Sequence, residues 1–225
     1  PATVVKRTDT DITYTLDEFT TAPTLIPNAD TIELSYDKMD SVLSEHEEAL
    51  TESIAEEVLY KWATSTGGTT YTAGVIRTTG AATAAHTTSA TGNRKALVKA
   101  DLKAAQTYMN KNKIPKNDRY ALLDSDMYAQ LMDDADLIKR DSGGELNLKE
   151  GVVMKLYGFN IMERASVLVY DNETTPVVKA VGATGASTDN AAALCWQKNA
   201  VEAALGEVKF FDSTDNPEYY GDIYS

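Results

Sequence analysis

Two histidines, one cysteine and thirty-four carboxylates are the side chains with which this 225-residue chain could do acid–base, nucleophilic or metal chemistry. His46 sits in an acidic run and His86 in a Thr/Ala-rich one. Neither stands at a spacing that builds a Ser-His-Asp triad, a Cys/His pair or a zinc site. Cys195 lies in an apolar run, ALCW, and reads as a small buried residue instead of a nucleophile; alone, it excludes an internal disulfide framework. Asp133, Asp134 and Asp136 cluster as a hard-cation site would, but lack the Gly and the downstream bidentate Glu of a calcium loop. A solvated helix end is the simpler reading. The glycines of 65–93 match neither the Walker pattern nor the dinucleotide fingerprint, and Lys6-Arg7 is too small a basic cluster for a nucleic-acid site. Carboxylates are numerous enough for a general acid/base pair, yet no apolar context singles one out. No catalytic, cofactor-binding or metal-ligating residue is assigned, and no cofactor is expected.

The elements that would hold these residues are easier to read. From Asp37 to Ala63, the residues Met39, Val42, Leu43, His46, Leu50, Ile54, Val58 and Trp62 recur at three- and four-residue steps, one stripe of an α-helix. Glu45, Glu47, Glu48, Glu52, Glu56 and Glu57 make its other face acidic, and Gly67-Gly68 follows as a stop. Such a helix is roughly 40 Å long. Before it, Ile12, Tyr14 and Leu16 alternate with polar residues, and Thr31 to Tyr36 alternates again. With turns at Pro23 and Pro27-Asn28, they predict a long hairpin-like arm. Its apolar content is too thin for a core of its own, so it must lie on its own domain or on a neighbouring subunit.

After the long helix, 65–93 is a Thr/Ala/Gly loop with weak strand character around Tyr71 to Arg77. Arg94 to Asn112 predicts a second helix with Val98, Leu102, Ala105 and Met109 inward. Its Lys95, Lys99 and Lys103 form a face that is solvated or meets the acidic helix. Asp118 to Leu123 predicts a buried strand, and Asp124-Ser125 an N-cap for a helix through Met127 and Leu131. Arg140 to Glu150 is a polar loop. A short apolar element, Val152–Leu156, is followed by a tight turn at Gly158, a strand at Phe159–Met162 and another at Val167–Tyr170, then a second Gly/Thr/Ala loop to Asn190. Ala191–Trp196 and Ala200–Leu205 read as strand material, ahead of an acidic, Tyr-rich tail.

The totals limit the function. A net charge of −13 repels nucleic acid over most of the surface and keeps the chain soluble. No apolar run reaches membrane-span length and no signal peptide opens the chain. The sequence starts at Pro1, which fits either a trimmed initiator or a cut precursor.

One stretch carries a resemblance. IPKNDRYALLDSDMYAQL, Ile114 to Leu131, resembles tailed-phage major capsid proteins, in which a Pro, a short spacer and an Arg-Tyr lead into a strand and a helix patterned D/S-x-x-x-Y-x-x-L. YGFNIMERA is similar to that family's G-F-x-[IV] strand, and Lys198, Ala200 and Val201 to its closing K-x-A-V turn. The order of elements also resembles the Hong Kong 97 fold. The resemblance implies an α+β chain with 1–36 as N-terminal arm and E-loop hairpin and 37–114 as peripheral domain with a spine helix and second helix. It makes 115–190 an α/β axial domain and 191–225 the return to the peripheral domain. It further implies a non-enzymatic, structural protein of the virion, a major capsid protein made in the bacterial cytoplasm that self-assembles into an icosahedral shell around double-stranded DNA. Its partners would be itself, in pentamers and hexamers, with portal and scaffolding proteins, and no membrane. Some relatives crosslink through a Lys and an Asn; Lys6 and Asn199 are present without a motif that would carry that chemistry over. A tail-tube or decoration protein is the alternative, and an enzyme, with a pocket and shifted carboxylates, the more distant one.

Overall fold

The structure, a computed structural model, describes residues 13, 15–28, 38–63, 74–134, 146–147, 152–153, 155–171 and 176–225. The chain divides into two compact units, Pro1–Ile54 with Ala203–Ser225, and Ala55–Glu202. The division falls within α1 (Lys38–Trp62), whose 25 residues span about 37 Å.

In the larger unit the strand β4 (Arg119–Asp124) is central. It pairs in parallel with β8 (Phe159–Arg164) and antiparallel with β11 (Leu194–Gln197), while β7 (Lys155–Leu156) closes the far edge of β8. The alternation of a strand buried on both faces decides what each residue touches. Ala121 and Leu123 of β4, with Phe159 and Ile161 of β8, face α2 (Lys99–Lys111) and α3 (Ser125–Met132), which contribute Leu102, Met109, Met127, Tyr128 and Leu131. Leu122 turns the other way and packs with Leu59 of α1 and with Val167, Leu168 and Tyr170 around β9 (Leu168–Tyr170). Trp196 of β11 lies between Tyr120 and Trp62, with ring centroids 5.7 and 6.0 Å away. The expected Asp124 cap forms: its Oδ1 accepts the Met127 amide at 2.8 Å. Between β7 and β8 the two-residue turn puts Tyr157 (φ 48°) and Gly158 (φ 81°) in the left-handed region, as a tight hairpin turn of this twist requires.

Several expectations need correction. The second helix starts at Lys99, not Arg94, because Asp101 reaches back to accept the Val98 amide at 3.0 Å and fixes the first turn there. Arg94 and Lys95 instead belong to β3 (Asn93–Lys95), paired with β2 (Ala82–Ala84) inside the stretch read as a Thr/Ala loop. Of the weak strand expected around 71–77, residues 74–77 carry no strand and 71–73 lie outside the described residues. Part of the polar loop expected to run to Glu150 is a strand, β5 (Leu146–Asn147), paired with β6 (Val152–Val153). The most buried residue in the last turns of α1 is Leu59, which lies off the expected stripe. β10 (Asn190–Ala192) pairs with β9, so the apolar run at Ala191 serves two sheets.

The smaller unit holds a three-stranded sheet in which β13 (Gly221–Tyr224) lies between β1 (Thr24–Pro27) and β12 (Asp212–Asn216). Its core is Ile26, Val42 and Tyr224. Pro27, read as a turn, is the last residue of an edge strand, where its missing N–H costs no ladder bond. The polar tail is thus a hairpin. Ala200–Leu205 is not strand: a 3₁₀ turn at Lys198–Ala200 leads into 201–211, which carry no regular structure. The alternation at 31–36 lies outside the described residues, as do 1–12 and Tyr14; residue 13 and residues 15–23 carry no strand.

Candidate assembly interface

Both histidines are engaged in holding the fold. In the smaller unit, His46 meets Thr21 Oγ1 through Nδ1 at 2.8 Å and Thr24 Oγ1 through Nε2 at 2.9 Å. With both ring nitrogens taken, it clasps the start of β1 to α1. In the larger unit, His86 Nε2 lies 2.9 Å from Asp124 Oδ2, the oxygen that the helix cap leaves over. That pair anchors the β2–β3 connection to the central sheet. Cys195 is half-buried as a residue, but burial pushes its thiol up to about 12, far from a thiolate nucleophile. Asp134 pairs with Lys99 at 3.1 Å, which accounts for one member each of the acidic cluster and the lysine face; Asp136 lies outside the described residues. Among the described residues no three His, Cys, Asp or Glu side chains gather as a metal site, and no helix is long and apolar enough to cross a membrane.

The larger unit also contains a cavity of about 760 Å³, walled by Trp62, Leu102, Met109, Trp196, Arg94 and Asp101 among others. Asp101 is committed within the fold: its oxygens accept the Thr79 hydroxyl at 2.6 Å and the Thr79 and Val98 amides. Asp189, a carboxylate displaced below its ordinary range, is not a wall of this cavity. Burial alone would raise Asp189. The hydrogen bond from Lys179, the Ala186 amide and the charges of Lys179 and Arg94 outweigh that and lower it.

The two most enclosed polar groups among the described residues were not singled out by periodicity. Arg119 is almost wholly enclosed and donates to the carbonyls of Pro115 and Ile114 at 2.8 and 2.7 Å, closing the loop that enters β4. Burial lowers its guanidinium from its usual value. Asp189 is the other. In the sequence both sit among polar neighbours, so hydrophobic periodicity gives no sign of either.

The smaller unit leaves several large apolar side chains uncovered. Leu205 is 85% exposed, Val208 81% and Tyr220 79%, and Leu16, Phe211 and Tyr219 are also more than half exposed. Gly206 lies against Leu16, close enough that a Cβ would stand 3.4 Å from its Cδ1, so the patch on 203–211 continues onto the N-terminal segment. Scattered exposed side chains are ordinary; the four exposed ones within 205–211, beside Leu16, make this stretch a candidate association surface. Among the described residues, the unit's sheet ends at β1 and β12 with no further strand paired to either.

The structure resembles solved phage capsid subunits. Against the capsid of cyanophage P-SCSP1u the TM-score is 0.57, with 22% identity over 90% of this chain and 64% of that one. Against the asymmetric unit of the bacteriophage PhiM1 mature capsid it is 0.49, with 14% identity over 90% and 63%. Against a chain of Mycobacterium phage Che8 it is 0.40, with 17% identity over 63% and 46%. The chain spans less than two thirds of the length of each. No curated protein matches the sequence. The P-SCSP1u likeness is one of fold, a mixed helix-and-sheet capsid subunit. A family model described as phage capsid protein matches residues 4–220, and on that match, which runs through both compact units, this chain belongs to the phage capsid protein family.

Proposed function

We propose that the chain is a major capsid protein that self-assembles into an icosahedral shell around phage double-stranded DNA. The observation that carries this reading is the family match over 4–220, almost the full length. The exposed apolar side chains within 205–211 and the sheet edges left unpaired among the described residues support it, since a subunit that bonds to many neighbours needs such surfaces. The surface of a −13 chain gives enclosed DNA little to adhere to. The protein acts as a structural component and not as a catalyst: both histidines and the cysteine are used by the fold.

In this reading the architecture is of the Hong Kong 97 type. Residues 1–36 are the arm and E-loop, α1 is the spine helix, 37–114 and the return over 191–225 make the peripheral domain, and 115–190 the axial domain. The sheet built on β4 supports an axial core, and β11 extends that sheet into the return segment. Subunits join in pentamers and hexamers, with portal and scaffolding proteins as further partners. Each contact can be weak because closed symmetry repeats it.

Light scattering and negative-stain microscopy test this on the full chain and on one lacking residues 1–20, which keeps β1 and the His46 clasp. Hollow shells or five- and six-membered rings from the full chain are expected, with fewer closed shells after truncation. Tubes would move the assignment to a tail protein. A monomer at every concentration and salt would overturn it.

A further inference from the structure

Residues 203–211, AALGEVKFF, combine three properties. They carry four of the smaller unit's nine exposed large apolar side chains, Leu205, Val208, Phe210 and Phe211. They have no regular structure, and none has a left-handed φ, Gly206 included, so the backbone is free to act as a strand. They are also electrically neutral within a chain of −13: Glu207 and Lys209, both well exposed, pair with each other at 3.3 Å. Residues two apart share one face of an extended chain, which is how these two side chains meet. Phe211, the last residue, already exchanges both backbone bonds with Ser225 at 2.9 and 3.0 Å, so the segment leads directly into the edge of a sheet.

We propose that this segment binds the same segment of a second copy, antiparallel about a two-fold axis at Val208. The identity of the partner rests on the shell-forming reading above; the register rests on the sequence of the segment itself. Centred on Val208, antiparallel pairing sets Glu207 opposite the partner's Lys209 and Lys209 opposite the partner's Glu207. On the same face Leu205 meets the partner's Phe211. On the other face Val208 meets its own copy, and Phe210, stacked on Tyr224 of its own chain, stands opposite the partner's Gly206, beside which Leu16 lies. Moving the centre to 207 or 209 puts like charges together, and so does parallel in-register pairing. Like charges directly opposite in a ladder are unfavourable. One register is therefore selected by charge, and it is isologous, the symmetry of a two-fold contact. Two bodies of net −13 repel, and a neutral, apolar stretch is where they can approach.

The test is made on the full chain under assembly conditions. Val208→Cys should crosslink to its own copy under mild oxidation within assembled particles, while Glu218→Cys, exposed but away from the axis, should not; the enclosed Cys195 thiol does not compete. Glu207→Lys should slow assembly, and Glu207→Lys with Lys209→Glu should restore it. Particles of Val208→Cys without a crosslink overturn the contact and leave the capsid reading standing. A charge reversal that the second reversal fails to rescue also overturns it. A crosslinked dimer from protein that forms no particles sustains the contact and removes the shell. Neither dimer nor particle removes both.

Discussion

Lys179 Nζ lies 2.7 Å from Asp189 Oδ2, and the same oxygen accepts the Ala186 amide at 2.7 Å. Arg94, from the β2–β3 hairpin, donates to the Asp189 carbonyl at 3.1 and 3.3 Å, so one residue ties two Thr/Ala/Gly-rich stretches together. Asp189 is buried and held below the usual carboxylate range. Its contribution to stability is complete above the unfolded-state value of about 4 and is lost as pH falls through the lower folded value. Asp189→Asn leaves Lys179 without its counter-charge and should cost about 3 kcal/mol at pH 7. Urea midpoints measured at pH 7, 4 and 3 should fall in the parent and fall less steeply in the variant. Parallel curves would assign the acid sensitivity elsewhere.

Asp124 caps α3 with one oxygen and holds His86 with the other. Asp124→Ala should cost about 1–2 kcal/mol through the lost cap. It should also speed amide exchange around 85–92, far from the helix in sequence. Asp124→Asn keeps an acceptor for the Met127 amide and should recover most of the stability. If exchange accelerates only within α3, the histidine contact does not anchor the loop.

The same residues show what the sequence makes legible. The β4–α3 segment could be read because a two-sided apolar strand, an Asp-Ser cap and a helical period follow one another within fourteen residues. The β2–β3 hairpin could not. Its strands are ATA and NRK, which have no apolar alternation, and they are held by Arg94 and by Asp101 reaching Thr79 across 22 positions. The terminal hairpin was hidden for the same reason: DSTDN is wholly polar, and the residues that take the left-handed turns, Asp215 (φ 50°) and Tyr220 (φ 51°), are not glycines. Periodicity reports burial along one element. It carries no record of a partner supplied by another.

Cys195 should resist alkylation in the folded chain. With the thiol pushed up to about 12, its thiolate fraction at pH 8 is roughly one part in ten thousand. Iodoacetamide at pH 8 followed by intact-mass measurement should show an unmodified native protein and single, rapid modification in denaturant. Modification of the native protein at the rate of an exposed thiol would mean that β11 opens readily and is not a fixed edge of the central sheet.

Gly221 is where β13 passes closest to β1. A Cβ there would run into the Ile26 carbonyl oxygen and stand 2.9 Å from Pro27 Cα, both of them backbone atoms that cannot swing aside. Gly221→Ala must push the edge strand away and loosen the small core of Ile26, Val42 and Tyr224. A cost of roughly 2 kcal/mol is expected, falling on the smaller unit. Gly206→Ala serves as its control, because a Cβ there meets only the Leu16 side chain at ordinary contact distance. Hydrogen exchange should accelerate at 24–27 and 221–224 in the first variant and stay unchanged in the second. Equal behaviour of the two would mean that the β1–β13 approach does not limit the sheet. Loss of closed shells in Gly221→Ala would show that assembly needs this strand in place.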